Sequence, residues 1–503
     1  MKFPQATILG KDIYVIDFHI EATVEQVACD LRAYETNSLL RAIADLGNQI
    51  YKANSDFLTY RKILVNDSFL LFAALFVLNH SSSTNGIDAG KSDLQVLFRK
   101  LWYLYEEGTT EELTPDEICL RIAYRQFPFQ GALLNGFARA IYIYKNIWSN
   151  REQMVGKDIF QETLGLTFDQ LFFHVFLCLS LDNTYFCRLL PDALAKVSET
   201  YNVSVSTDSE EAFLRWASRD RAGILAYAGS LDNALEKFPI INIGVVPNGP
   251  KEELFLIINK NCLYLKISHY LYYDFIEKYS GGNGTNVFKE AYGHAFQDYV
   301  GRLLNAHLKS WKVISEVRYK KGRNSVDSVD WIVWRHDKLI LVEVKQSSIF
   351  LRTKKTGSID SYKQDCRKTL SKAFDQLQRT KADIEAGLFS ELMFAKDVKS
   401  VEMVCVVADP LYFGNMLLPK LGEEHPSMHV INISDFEDLL DIQGNDQNLD
   451  YLLLKKGKRS KLRAMDFREY NIKLLKGVSR RSSQFLRNVF EEYFSELKHS
   501  DHA

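Results

Sequence analysis

Two strand-forming runs, SVDWIVWR (328–335) and KLILVEVK (338–345), stand only two residues apart. That spacing commits the chain to a tight β-hairpin with His336-Asp337 at its turn. Pairing outward from the turn brings Asp330 opposite Glu343, where cross-strand Cβ atoms lie roughly 4.5–5.5 Å apart. Side chains alternate faces along a strand, so Asp330, Glu343 and Lys345 share one face at one end of the hairpin. Asp327 has the opposite parity. The surrounding residues Trp331, Ile332, Val333, Ile340, Leu341, Val342 and Val344 are apolar on both faces, which predicts an interior pair of strands.

Two carboxylates forced together in apolar surroundings repel one another and are poorly solvated. A hard divalent cation with oxygen ligands, Mg2+ or Mn2+, relieves both penalties. A lysine on the same face can orient water or stabilise charge building on a phosphoryl group. The tripeptide (D/E)xK alone carries little information, since Asp397-Val-Lys399 and Glu496-Leu-Lys498 also satisfy it. The strand context and the facing Asp330 carry the argument.

The flanking elements extend the pattern. A helix is predicted over about 287–308 and a strand over WKVISEVRY (311–319). After the hairpin come a basic helix over about 361–386 and strands at VEMVCVVAD (401–409) and MHVINI (428–433). The order α-β-β-β-α-β predicts a mixed sheet flanked by helices. Residues 288–409 resemble the PD-(D/E)XK nuclease superfamily, whose members include restriction and DNA-repair endonucleases. The resemblance implies a restriction-endonuclease-like α/β core in which Asp330 and Glu343 bind metal, the Val344 carbonyl adds a ligand and Lys345 is the catalytic lysine. Gln376, in Ala373-Phe374-Asp375-Gln376-Leu377, matches the Gln-Leu element that many members carry. One position departs: Gln297 stands where the family's helix often holds a metal-binding glutamate, and Glu290 is the alternative on the same helical face.

Cations cluster around this core. Lys320, Lys321 and Arg323 precede the Asp330 strand, and Arg352, Lys354, Lys355, Arg367, Lys368 and Lys372 follow the hairpin. They are expected to contact a DNA backbone. A further cluster, Lys455, Lys456, Lys458, Arg459, Lys461 and Arg463, is equally readable as a solvated helix face. The net charge of −2 places any nucleic-acid affinity in such patches and not in the molecular average.

Residues 1–245 are expected to form a mainly helical domain with one or two short strands near the start, serving recognition, regulation or oligomerisation. A connecting segment spans 246–284 and contains the Ser280-Gly281-Gly282-Asn283-Gly284 linker signal. The nuclease core then occupies 285–443, and a helical, basic extension 444–503. His80 and His174 sit in or beside very apolar helical runs and are read as core or boundary histidines. Seven cysteines, an odd number without a CxxC pair, argue against a disulfide framework and a cysteine zinc site, and a reducing cytoplasm is the expected home. MKFPQATILG has no signal-peptide pattern. The apolar run Phe69–Leu78 is too short for a membrane span, which needs roughly 20 residues, and is read as a buried helix.

The expected function is a Mg2+- or Mn2+-dependent endodeoxyribonuclease, a prokaryotic defence effector of restriction type. It would act on DNA and associate through its N-terminal half with itself or a partner protein. The alternatives are a catalytically inactive nuclease fold that grips DNA, or an interaction scaffold.

Overall fold

Capping and periodicity build the first half of the chain. Thr23 and Thr167 each close a capping box with the glutamine three residues on, starting helices Val24–Leu31 and Phe168–Ser180. Asn66 caps helix Asp67–His80, whose buried side chains include Phe69, Leu70, Leu71, Val77 and Leu78. Its 14 residues span about 21 Å at the α-helical rise, short of a bilayer core. Among the described residues no helix is long and apolar enough to cross a membrane.

The computed structural model describes residues 6–8, 11–13, 20–53, 57–60, 63–82, 86–107, 113–130, 133–147, 158–188, 191–201, 203–228, 234–245, 252–279, 286–346, 349–389, 398–420, 427–442, 445–463, 465–474 and 483–499. The chain divides into two units. The first combines Met1–Ile141, Gly156–Asn286 and Phe490–Ala503, and the second Tyr142–Val155 and Val287–Val489.

The first unit is rich in helices and contains more strand than its texture suggests. The hairpin Ala6–Ile8/Lys11–Ile13 lies in the stretch expected to be extended. A second hairpin, Phe57–Tyr60/Ile63–Asn66, and a four-stranded sheet were not anticipated. That sheet runs in the order Tyr185–Cys187, Leu254–Ile257, Ile240–Gly244, Ser218–Asp220, antiparallel except for its last pair. Leu254–Ile257 comes from the segment expected to be a connection. All four residues are buried, so this apolar stretch is an interior strand of the first unit and not a tether. The glycine-rich linker residues 280–284 lie outside the described residues. The chain's last long helix, Gln484–His499, returns Tyr493 to the first unit, where its ring packs on Phe168 and Phe172 and its hydroxyl donates to Asp169 at 3.0 Å. The expected C-terminal extension is therefore divided between the two units.

His174 is a core residue of this unit, 3% exposed, with Nε2 3.1 Å from the Ser209 hydroxyl and its ring stacked on Phe213. Burial pushes its pKa down to about 4. Between pH 6.5 and 4 the unfolded chain therefore binds a proton that the folded chain refuses, so stability falls as pH drops through this window. The shift corresponds to a loss of up to about 3 kcal/mol. In urea titrations, His174→Phe is expected to flatten the stability profile between pH 6.5 and 4. A profile as steep as that of wild type would exclude His174 as the titrating group.

In the second unit, helix α1 (Val287–His307) leads into strand β1 (Lys312–Ser315), a small separate hairpin β2 (Arg318–Lys321) and β3 (Asn324–Asp327), then β4 (Trp331–Arg335) and β5 (Lys338–Lys345). Helices α2 (Leu351–Thr356) and α3 (Ile359–Glu385) follow, then β6 (Ser400–Val407), α4 (Gly414–Lys420), β7 (Met428–Asn432), α5 (Ile433–Asp441) and α6 (Asn445–Lys458). The main sheet has the order β7-β6-β5-β4-β1, with β5 pairing antiparallel to β4 and parallel to β6. It is the mixed, helix-flanked sheet expected from the element order. The stretch 311–319 differs, breaking at Glu316-Val317 into two strands of separate sheets. The cause is the alternation of charge and turn residues in RYKKGRNSVD, which favours a local hairpin closed at Gly322 (φ 64°).

Candidate active site

The β4–β5 register pairs Arg335 with Lys338 and Trp331 with Val342, as the two-residue turn dictates. His336 takes the left-handed conformation at that turn, φ 54°, and its carbonyl accepts from the Trp334 indole N–H at 2.7 Å. Asp330 sits one residue before β4. Continuing the register places it against Glu343, and its Oδ2 accepts from the Val344 N–H at 2.7 Å. Burial of β5 is nearly complete from Leu339 to Val344, with Glu343 only 1% exposed.

Lys345 lies on the Glu343 face of β5, and its Nζ donates to Glu343 Oε1 at 2.6 Å. The same ammonium donates to Gln376 Oε1, also at 2.6 Å, so α3 covers this face. Lys338, of opposite parity, pairs with Asp450 of α6, so α6 lies on the other face. The structure thus joins Asp330, Glu343, Lys345 and Gln376 through a continuous set of contacts. The Lys345 side chain remains 24% exposed, which leaves the cluster open to solvent from its lysine end.

Electrostatics set this corner apart. Burial, then the neighbouring Glu343 charge, raises the Asp330 carboxyl well above the ordinary carboxylate range. Burial likewise raises Glu343, with Lys345 opposing it. Glu343 Oε2 is buried and has no hydrogen-bond partner among the described residues, an expensive state for a carboxylate oxygen. The amide Nε2 of Gln346, the residue after Lys345, is also buried without a partner among the described residues. Two hard oxygen donors with an orphaned lone pair suit a small divalent cation. The fit rests on these two carboxylates: among the described residues no three of His, Cys, Asp and Glu gather closely enough to hold a metal by themselves.

The other expected residues are distributed unevenly. Glu290 is exposed on α1. Gln297 is half-buried, and its backbone carbonyl accepts from the Trp331 indole at 3.1 Å. Asp327 faces away, forming a two-pronged pair with Arg318 at 2.6 and 3.0 Å. Lys320 and Arg323 are exposed on the β2–β3 hairpin, whereas Lys321 is tied to the buried Asp383 at 2.7 Å. Lys354 pairs with Asp409 at 3.0 Å. Arg352, Arg367, Lys368 and Lys372 are exposed, and the Lys355 side chain lies outside the described residues. In the 455–463 cluster, Lys456 is buried and donates to the carbonyls of Leu462, Arg463 and Met465, closing a helix end. Sequence reasoning missed Glu316, whose charge reaches both Asp330 and Glu343. Its signal was hidden by the strand break at that position.

Comparison with known proteins finds no matching family model, no similar curated protein and no similar solved structure.

Proposed function

We propose that the second unit is a divalent-metal-dependent phosphodiesterase acting on DNA, with Asp330 and Glu343 holding the cation and Lys345 and Gln376 serving the phosphate. The supporting observation is the convergence of these four side chains, with Glu343 Oε2 buried and unpartnered beside an elevated Asp330. The restriction-endonuclease-like reading of the mixed sheet and its hairpin belongs to the same proposal, as does a role in defence against foreign DNA.

A bound Mg2+ or Mn2+ would polarise the phosphate and acidify a water. The chain's own groups do the rest. Asp330 is held by the Val344 N–H, which fixes its carboxylate at the strand end. Lys345 is oriented between Glu343 and Gln376, so its ammonium meets negative charge without further reorganisation. The exposed cations Lys320, Arg323, Arg352, Lys368 and Lys372 supply the backbone contacts, while Lys321 and Lys354 are already committed to carboxylates.

The test is incubation of the full chain with supercoiled plasmid in Mg2+ or Mn2+, with and without EDTA. Nicked and linear products that vanish in EDTA are expected. Activity that persists in EDTA would discard the metal. Salt-sensitive DNA binding with no product in either metal would instead favour a DNA-gripping protein without catalysis.

A further inference from the structure

The first unit contains a cavity of about 880 Å³, formed entirely from its own helices and sheet edge. Four cations line it, Arg215, Arg219, Lys237 and Lys266, against two carboxylates, Glu162 and Asp274. Both carboxylates are already engaged. Glu162 accepts from the Tyr279 hydroxyl at 2.8 Å, and Asp274 from Lys266 Nζ at 3.1 Å and the Trp216 indole at 2.7 Å. Three aromatic rings, Trp216, Tyr227 and Phe238, share the lining. Each already bears a cation: Lys266 over Trp216 at 4.3 Å, Lys237 over Tyr227 at 5.1 Å and Arg219 over Phe238 at 4.1 Å.

Local structure is arranged to admit these side chains. Gly223 lets Arg219 lie flat, since a Cβ there would sit 3.2 Å from Arg219 Cβ and Cδ. Lys266 opens a π-helical turn, Lys266–Tyr270, a distortion that often accompanies function. It is 1% exposed, and burial pushes its pKa down to about 8 despite Asp274. Arg215 is exposed, and neither it nor Lys237 forms a salt bridge among the described residues. The cavity therefore presents more positive charge than it neutralises, beside flat apolar rings, in a volume typical of small-molecule sites.

We propose that this cavity binds a nucleotide, its phosphates held by Arg215 and Lys237 and its base set against Tyr227 and the Arg219 guanidinium, which lies over Phe238 and donates to the Arg215 and Ser218 carbonyls. A lone inorganic anion would leave most of the volume and the aromatic lining unused. A neutral aromatic compound would leave the cations uncompensated. A nucleotide satisfies both halves of the lining. This reading is independent of the chemistry assigned to the second unit.

The experiment is calorimetric titration of the full chain, in EDTA, with AMP, GMP, CMP, UMP and their triphosphates. Tripolyphosphate and the free nucleosides serve as probes of each half alone. At least one nucleotide is expected to bind saturably, with tripolyphosphate and its nucleoside each at least ~10-fold weaker, since two sets of contacts are split. Arg215→Glu/Lys237→Glu is expected to weaken binding at least ~30-fold, and Lys473→Ala, in an exposed ion pair of the second unit, to leave it unchanged. If the double reversal fails to fold, Arg215→Ala at its exposed helical position should still weaken binding about 5-fold. Absence of binding by all eight nucleotides would overturn the proposal. So would equal binding of tripolyphosphate, or binding insensitive to the Arg215 variants.

Discussion

Lys345→Ala is expected to slow plasmid cleavage by roughly 10²–10³-fold in saturating Mg2+, and Asp330→Ala to reduce it further, to background. Two hydrogen bonds, to Glu343 and Gln376, fix the Lys345 ammonium. Alanine at 345 removes the ammonium proposed to serve the phosphate and leaves Glu343 Oε1 as unsatisfied as its Oε2. Asp330→Ala removes one of the two carboxylates proposed to hold the cation. Asp327→Ala is the matched control. It deletes an aspartate three residues away in an exposed ion pair, on the β2–β3 hairpin, and should leave cleavage within about 2-fold and stability within about 1 kcal/mol. Unfolding midpoints of all three variants separate lost chemistry from lost structure. Equal cleavage rates for wild type, Lys345→Ala and Asp330→Ala would remove the basis for the catalytic reading.

Much of the hairpin's geometry is readable from the sequence because its determinants are local. A two-residue turn fixes the register, and the register fixes parity, so the placement of Asp330 rather than Asp327 opposite Glu343 follows from the sequence. Gln376 is also legible, because α3 is one unbroken amphipathic helix, Ile359–Glu385, running back across the sheet. What sequence hides is nonlocal. One local break is easily overlooked as well: the strand stops at Ser315 and restarts at Arg318 because Gly322 closes a separate hairpin, and with that break Glu316 escapes notice. Lys321 and Lys354 read as free cations until their partners, Asp383 and Asp409, are placed beside them by the fold. The first unit's cavity has no linear signature at all. Its cations at 215, 219, 237 and 266 come from separate elements and look like ordinary solvated charges in the chain.

Gly301→Ala is expected to destabilise the second unit by about 3 kcal/mol, an unusual penalty for adding one methyl group to a helix. Ordinarily alanine stabilises a helix interior by about 1 kcal/mol relative to glycine. Here the sign reverses because the Trp331 indole lies against the helix backbone. A Cβ at position 301 would fall 2.0, 2.3 and 2.6 Å from three of its ring atoms, so the ring must leave. The ring is also anchored to this same helix by its N–H bond to the Gln297 carbonyl, one turn earlier on α1, so it cannot pivot without losing that bond. Trp331 is the first residue of β4 and the immediate neighbour of Asp330. Displacing it shifts the end of the strand that positions the carboxylate, and a misplacement of about 1 Å can cost roughly 10²-fold in rate. Cleavage should therefore fall along with the urea midpoint, although position 301 bears no side chain of its own. The coupling can be isolated with Trp331→Leu. In the double variant the smaller side chain accommodates the new methyl group, so the combined destabilisation should be at least about 1 kcal/mol less than the sum of the single effects. Strict additivity, or a Gly301→Ala chain as stable as wild type, would mean that the indole does not rest on the helix at that point.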